Sequence, residues 1–258
     1  MSIAIAIANA LELLVLQDWD KLRSTVLSDP ALFRNICSAI AACSELNGMT
    51  LLHAALRFNP PLDIAAQMIR ICPYLLAATD CLKRTPLHVA AGCKASASLI
   101  KFIARAYPAA CVAQDEEGKT PLHLACDSSC VLFEDQNDDV DENDASTSSQ
   151  EPAPNHESIV ALLSISLHAA MLEDDEEMSP LEHAIMSNAS LKTVKLLQAA
   201  TRKRCKEMDN EKKTSQLQSF MTAMNSLQVQ DGFNTPATTN DTCFFSSRPT
   251  KLARMISS

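Results

Sequence analysis

The chain has 258 residues, 47% hydrophobic but only 4% aromatic, with a formal net charge of −9. Its four glycines leave almost none for the tight turns of a β-sandwich or for a phosphate-cradling loop, so the composition leans helical. The charge is segregated: residues 1–119 hold 11 basic against 10 acidic side chains, 120–191 hold 16 acidic and no basic, and 192–258 hold 11 basic against 5 acidic. This argues against nucleic acid as the main partner, which needs a continuous basic face.

The opening MSIAIAIANALELLVL reads as a core helix rather than a leader, because it lacks a basic start, carries Glu12 and shows no small-residue cleavage site. No later run of 18 apolar residues occurs, so no membrane-spanning helix is expected. Two helices are expected around Asp18, with Trp19, Leu22 and Val26 on one face and Ser28-Asp29-Pro30 as a stop. Residues 1–44 thus form an N-terminal helical cap or a degenerate repeat. Ten cysteines without paired spacings fit free thiols in a reducing compartment, and so a cytoplasmic or nuclear location.

A period then appears. TLLHAAL begins at Thr50, TPLHVAA at Thr85, TPLHLAC at Thr120 and SPLEHAI at Ser179. The first two intervals are 35 residues and the third is 59, which is 35 plus an insertion of 24. Asp80, Asp115 and Asp174 each lie five residues before the Thr or Ser, and Pro73 and Pro108 are 35 apart. Thr or Ser before Pro is a helix start: the hydroxyl caps a free N–H, and proline takes the first position, where its missing donor matters least. A second apolar segment follows each motif at helical spacing, with Ile64, Met68 and Ile71, then Leu99, Ile100 and Ile103, then Ile159, Leu162 and Leu163, then Val194, Leu196 and Leu197. One such helix pair cannot bury its apolar face alone, whereas a stack of pairs shares a continuous core.

The TPLHxAA motif, the paired helices and the period together resemble the ankyrin repeat. The resemblance covers about residues 45–200 and implies an all-α ankyrin-repeat solenoid of about four repeats with helical caps at both ends. It also implies a structural motif of Thr50, His53, Thr85, Pro86, His88, Thr120, Pro121, His123, Ser179 and Pro180, with His53, His88 and His123 hydrogen-bonding at the junctions between repeats. Departures stand out. The turn glycine of the family is present as Gly48 and Gly118 but is Lys83 and Glu177 in the other copies, so distorted hairpins are expected there. Leu51 replaces proline in the first copy, and Glu182 replaces the histidine in the fourth.

Within the third repeat, about residues 129–156 read as a disordered acidic insertion, rich in carboxylates and poor in apolar side chains. It carries a weak phosphorylation pattern at Ser148 with Glu151, and its carboxylates suit the basic RKRCK at Arg202 or the RPTKLAR tail. Residues 201–230 read as a C-terminal capping helix, starting near Thr214-Ser215 with Leu217, Phe220, Met221, Met224 and Leu227 on one face, and 231–258 read as a disordered tail.

Three sharper chemistries compete with this frame. His123, Cys126 and Cys130 mimic metal-ligand spacing, but His53 and His88 recur by period without the cysteines, so the repeat itself explains the histidine. No P-loop, GxSxG, HExxH or GxGxxG occurs, and His156, His168 and His183 are isolated, so no enzyme is expected. The EDDEE run at Glu173 lacks the alternating ligands and turn glycine of a calcium loop.

By the same resemblance, partners meet the hairpin tips and the first-helix positions beyond the small-residue pair, on a concave face. The tips hold Asn47 and Met49; Leu82, Lys83 and Arg84; Glu116, Glu117 and Lys119; and Asp175, Glu176 and Met178. The helix positions are Arg57 and Phe58; Gly92 and Cys93; Asp127 and Ser128; and Met186 and Ser187. Phe58 is either a partner anchor or a residue tucked under the neighbouring loop. The residues thus point to a monomeric, non-catalytic interaction module or scaffold, with no cofactor, metal, nucleic acid or membrane, whose protein partner turns a basic patch toward the acidic last repeats. The alternative is a metal-binding or thiol redox-sensing protein that uses its Cys and His residues.

Overall fold

The computed structural model describes residues 2–130, 132 and 154–230, the side chains of 44 and 224–230 excepted. Among them every regular element is helical, in line with the scarcity of glycine and the helix-start dipeptides. The N-terminal part holds α1 (Ile3–Val15), α2 (Trp19–Leu22) running into a π turn, and α3 (Pro30–Ala41). Then come helix pairs: α4 (Leu51–Arg57) with α5 (Leu62–Ile71), α6 (Pro86–Gly92) with α7 (Ala97–Ala106), and α8 (Pro121–Cys126) with α9 (His156–Leu163). Last are α10 (Pro180–Met186) and α11 (Leu191–Gln230).

Two rows result. First helices pack in the order α1, α4, α6, α8, α10, and second helices in the order α3, α5, α7, α9. The core runs between the rows: Leu52, Leu87 and Leu122 come from first helices, and Ile64, Leu99 and Ile159 from second helices, all fully buried. The small pairs Ala90-Ala91 and Ala125-Cys126 are buried where neighbouring first helices meet.

The helical segment after Asp18 stops before Ser28-Asp29-Pro30 as expected, but a further helix, α3, begins there. The same dipeptide logic starts a helix: the Asp29 carboxylate accepts from the backbone N–H of Ala31 at 2.9 Å and Leu32 at 3.1 Å, and Pro30 takes the first helical position. The chain divides into a compact unit over residues 1–209 and a second over 210–258. No break separates the second helix of the fourth copy from the expected capping helix; α11 is continuous through Thr214-Ser215, and Leu217, Phe220 and Met221 are exposed. Of the expected insertion, residues 133–153 with Ser148 and Glu151 lie outside the described residues, as does the tail from 231. Its ends are ordered, because Cys130 and Leu132 pack on the core, Pro154 is buried and Asn155 caps α9.

The hairpins before the second, third and fourth motifs are each built on an aspartate. One oxygen of Asp80 accepts from the N–H of Leu82 (3.0 Å) and Arg84 (2.9 Å); Asp115 does so for Glu117 and Lys119, and Asp174 for Glu176 and Met178, at the same distances. The fourth residue of each tip is left-handed: Lys83 at φ 58°, Gly118 at 73° and Glu177 at 60°. The expected distortion at Lys83 and Glu177 is therefore absent; the aspartate cage holds the strained backbone with both non-glycine residues in place. Gly118 has a second reason to be glycine, since a Cβ there would stand 2.7 Å from the Asp175 nitrogen of the next tip. Gly118→Ala is expected to lower unfolding stability by about 2 kcal/mol, from strain plus clash. Lys83→Gly is expected to raise it by up to about 1 kcal/mol, both read from urea-unfolding midpoints.

Candidate protein-binding surface

The histidine of each motif sits at the third position of its helix, where it can reach back to the residue before the helix. The Nδ1 atoms of His53, His88 and His123 accept from the backbone N–H of Thr50, Thr85 and Thr120 at 3.2, 3.0 and 3.0 Å, with each Thr hydroxyl 2.8 Å away. An accepting Nδ1 places the ring proton on Nε2. Nε2 then donates across the junction to the carbonyl before the next motif: to Arg84 at 3.0 Å, Lys119 at 3.1 Å and Met178 at 3.2 Å. All three rings are fully buried.

Burial disfavours the imidazolium and pulls His53 down from its ordinary value. His88 falls to about 4 for the same reason, and His123 to about 4 through burial and then the neighbouring His183. In the fourth copy Glu182 takes over the reach-back, accepting from the Ser179 N–H and hydroxyl at 2.7 Å each. A carboxylate has no proton for a further carbonyl, so the bridging chemistry ends at this copy. The adjacent His183 turns inward instead, bonding Asp174 at 2.7 Å and meeting the His123 ring edge to face at 5.5 Å.

The tips are joined to one another as well. Cys81 N–H donates to the Asn47 carbonyl at 2.7 Å, Glu116 to Leu82 at 2.9 Å and Asp175 to Glu117 at 3.0 Å, one bond per period. The tips therefore present side chains from a backbone fixed within and between repeats. Asn47, Leu82, Lys83, Glu116, Glu117, Asp175 and Glu176 are exposed; Met49, Arg57, Phe58, Arg84, Cys93, Lys119, Asp127, Ser128 and Met178 are half-buried. Arg84 is held rather than presented, with its Nε 2.8 Å from Asp80 and its side chain 11% exposed. Lys119 pairs with Glu117 at 2.8 Å. Arg57 lies over the Phe58 ring, 5.6 Å from its centre. Asp127 turns its carboxylate onto the N–H and hydroxyl of Ser129. Gly92 is buried, while Met186, one of the expected helix positions, is 70% exposed beside Ile185, an exposed apolar side chain that the sequence reading does not single out.

His123, Cys126 and Cys130 do not converge as ligands. Both His123 nitrogens are engaged, and burial pushes the Cys126 thiol well above its ordinary value. Among the described residues, no group of three or more His, Cys, Asp and Glu is placed to hold a metal ion, and no helix is long and apolar enough to cross a membrane.

Stacked helix pairs tied by imidazole bridges and projecting a row of fixed hairpins define a helical repeat protein. The family model described as ankyrin repeats in many copies matches residues 75–125, the stretch that carries the second copy and the start of the third, and so supports the ankyrin reading of these repeats. A search of the curated proteins finds no match.

The histidines make stability depend on pH. Their folded values lie below the unfolded value near 6.5, so the unfolded chain binds protons first, and stability present above that pH is lost as pH falls toward 4. The thermal midpoint is expected to drop between pH 6.5 and 5, before most carboxylates titrate, as His88 and His123 each remove up to about 1.4 kcal/mol of unfolding stability per pH unit. His88→Gln is expected to be about 2 kcal/mol less stable at pH 7 and to show a shallower loss across that window.

Proposed function

We propose that this protein is a non-catalytic interaction module that grips another protein with its hairpin tips and the first-helix residues beside them. Ankyrin repeats generally mediate protein–protein interactions, and the family is typically non-catalytic. The observation that carries the reading is the tip row: its backbone is immobilised by the aspartate cages and inter-tip bonds, whereas Lys83, Glu116, Asp175 and Glu176 project outward. A fixed backbone with outward side chains lowers the ordering cost of binding and leaves specificity to those side chains.

On this reading residues 45–200 form the recognition stack and 1–44 close its N-terminal end, as the place of α1 and α3 in the two rows supports. The charge along the tips changes from basic at Lys83 to acidic at Glu116, Glu117, Asp175 and Glu176. The partner accordingly turns a basic patch toward the last two tips, which makes binding salt-sensitive. Such a partner suits a cytoplasmic or nuclear protein.

The test uses affinity capture of partners by the whole protein and by a Glu116→Lys, Glu176→Lys double variant, with dissociation constants measured at 50 and 300 mM salt. The variant is expected to bind at least about tenfold more weakly at low salt and to show a flatter salt dependence. Equal affinity and equal salt slope would remove the acidic tips from the binding site.

A further inference from the structure

Gly92 ends α6 at a position where the other copies carry Arg57, Asp127 and Met186. A glycine near the end of a helix weakens it relative to alanine, and here its backbone conformation is ordinary, so no turn requires it. What requires it is Leu132. A Cβ built on Gly92 would lie 2.7 Å from Leu132 Cγ, so the absent methyl makes the seat that the leucine fills.

The chain reaches that seat by leaving the repeat pattern. The first helices of the other copies end in a left-handed residue nine positions after the Thr or Ser, namely Asn59, Lys94 and Asn188, and the chain then enters the second helix. In the third copy α8 stops at Cys126, and Asp127 is extended at φ −88° and ψ 116°. The peptide units of Ser128 are held from both sides: its N–H donates to the Ser187 hydroxyl of the fourth copy at 2.9 Å, and its carbonyl accepts from Lys94 Nζ of the second at 3.0 Å. Cys130 and Leu132 then pack, half-buried, against the core. Burial, then the Asp127 carboxylate and the neighbouring Cys93, push the Cys130 thiol up to about 11, consistent with its lying against the second repeat.

Two backbone bonds at Ser128, followed by an aliphatic side chain in a glycine-floored notch, hold this stretch to its neighbours in the way a groove holds a short peptide. We propose that the first-helix face of the second repeat is a docking groove for an aliphatic anchor, that Leu132 of this same chain occupies it, and that a partner reaches Gly92 and Cys93 only by displacing Leu132. The proposal extends the interaction reading above, but the seat is a property of the isolated protein and is measured without any partner.

The protein's own thiols report the seat. Full-length protein is treated with N-ethylmaleimide under native conditions, and the rate at each cysteine is followed by peptide mass spectrometry. Exposed Cys81 and Cys205 serve as fast standards, and buried Cys111 and Cys126 report that the stack stays folded. Leu132→Asp and Gly92→Ala, one emptying the seat and the other filling it, are each expected to speed labelling of Cys93 and Cys130 by about tenfold or more, with Cys111 and Cys126 unchanged. Gly92→Ala introduces the better helix former, so it keeps the test decisive if Leu132→Asp loosens α8. Unchanged labelling of Cys93 and Cys130 in Gly92→Ala would overturn the proposal. Loss of partner capture in the tip variant, with this labelling pattern intact, would instead strike only at the acidic tips.

Discussion

Everything in the stack depends on a neutral imidazole with one nitrogen facing each way. Only histidine combines, in a flat ring at the third helical position, an acceptor for its own helix start and a donor for the next repeat's carbonyl. Protonation would abolish the acceptor, and burial supplies the opposing pressure that keeps the ring neutral. The substitution of Glu182 in the last copy follows the same chemistry. A carboxylate keeps the helix start but has nothing to donate, at the copy after which the sequence offers no further motif.

The hairpins obey a second, independent constraint. A buried or half-buried aspartate receives two N–H groups, forces the fourth tip residue left-handed and aligns the tip for a bond to its neighbour. Because the backbone meets the geometric demand, the left-handed position tolerates Lys83 and Glu177, whereas Gly118 is held to glycine by the close approach of Asp175. Arg84 marks the limit of that freedom: adjacent to the motif and next to a buried carboxylate, it becomes part of the cage.

Much of this architecture is legible in the sequence, and the exceptions have physical causes. TPLH carries helix start, period and fold class because each letter answers a local requirement. Helix α3 hides in the sequence because Asp29-Pro30 suits an ending as well as a beginning, and here the pair caps a beginning. The apparent ligand triad of His123, Cys126 and Cys130 dissolves once the period is seen. Side-chain fate at the surface is less readable: Lys83 and Arg84 are neighbours of like charge, yet one is exposed and the other locked, a difference set by Asp80 and not by composition. The seat of Leu132 leaves one trace, a glycine where other copies hold larger residues, and that trace has meaning only when three dimensions bring residues 92 and 132 together.

The bridge from His123 to Met178 spans 55 positions, whereas its counterparts span 31. Closing the longer loop costs only about 0.5 kcal/mol more, and the geometry at the junction is the same to within a few tenths of an ångström. The interface between the third and fourth copies is thus indifferent to the covalent path that joins them. A single protease cut between residues 133 and 153 would leave two fragments still clasped through the imidazole, the Asp175–Glu117 bond and the α8–α10 contact. What joins the third copy to the fourth is the match of their two faces and not the number of residues between them.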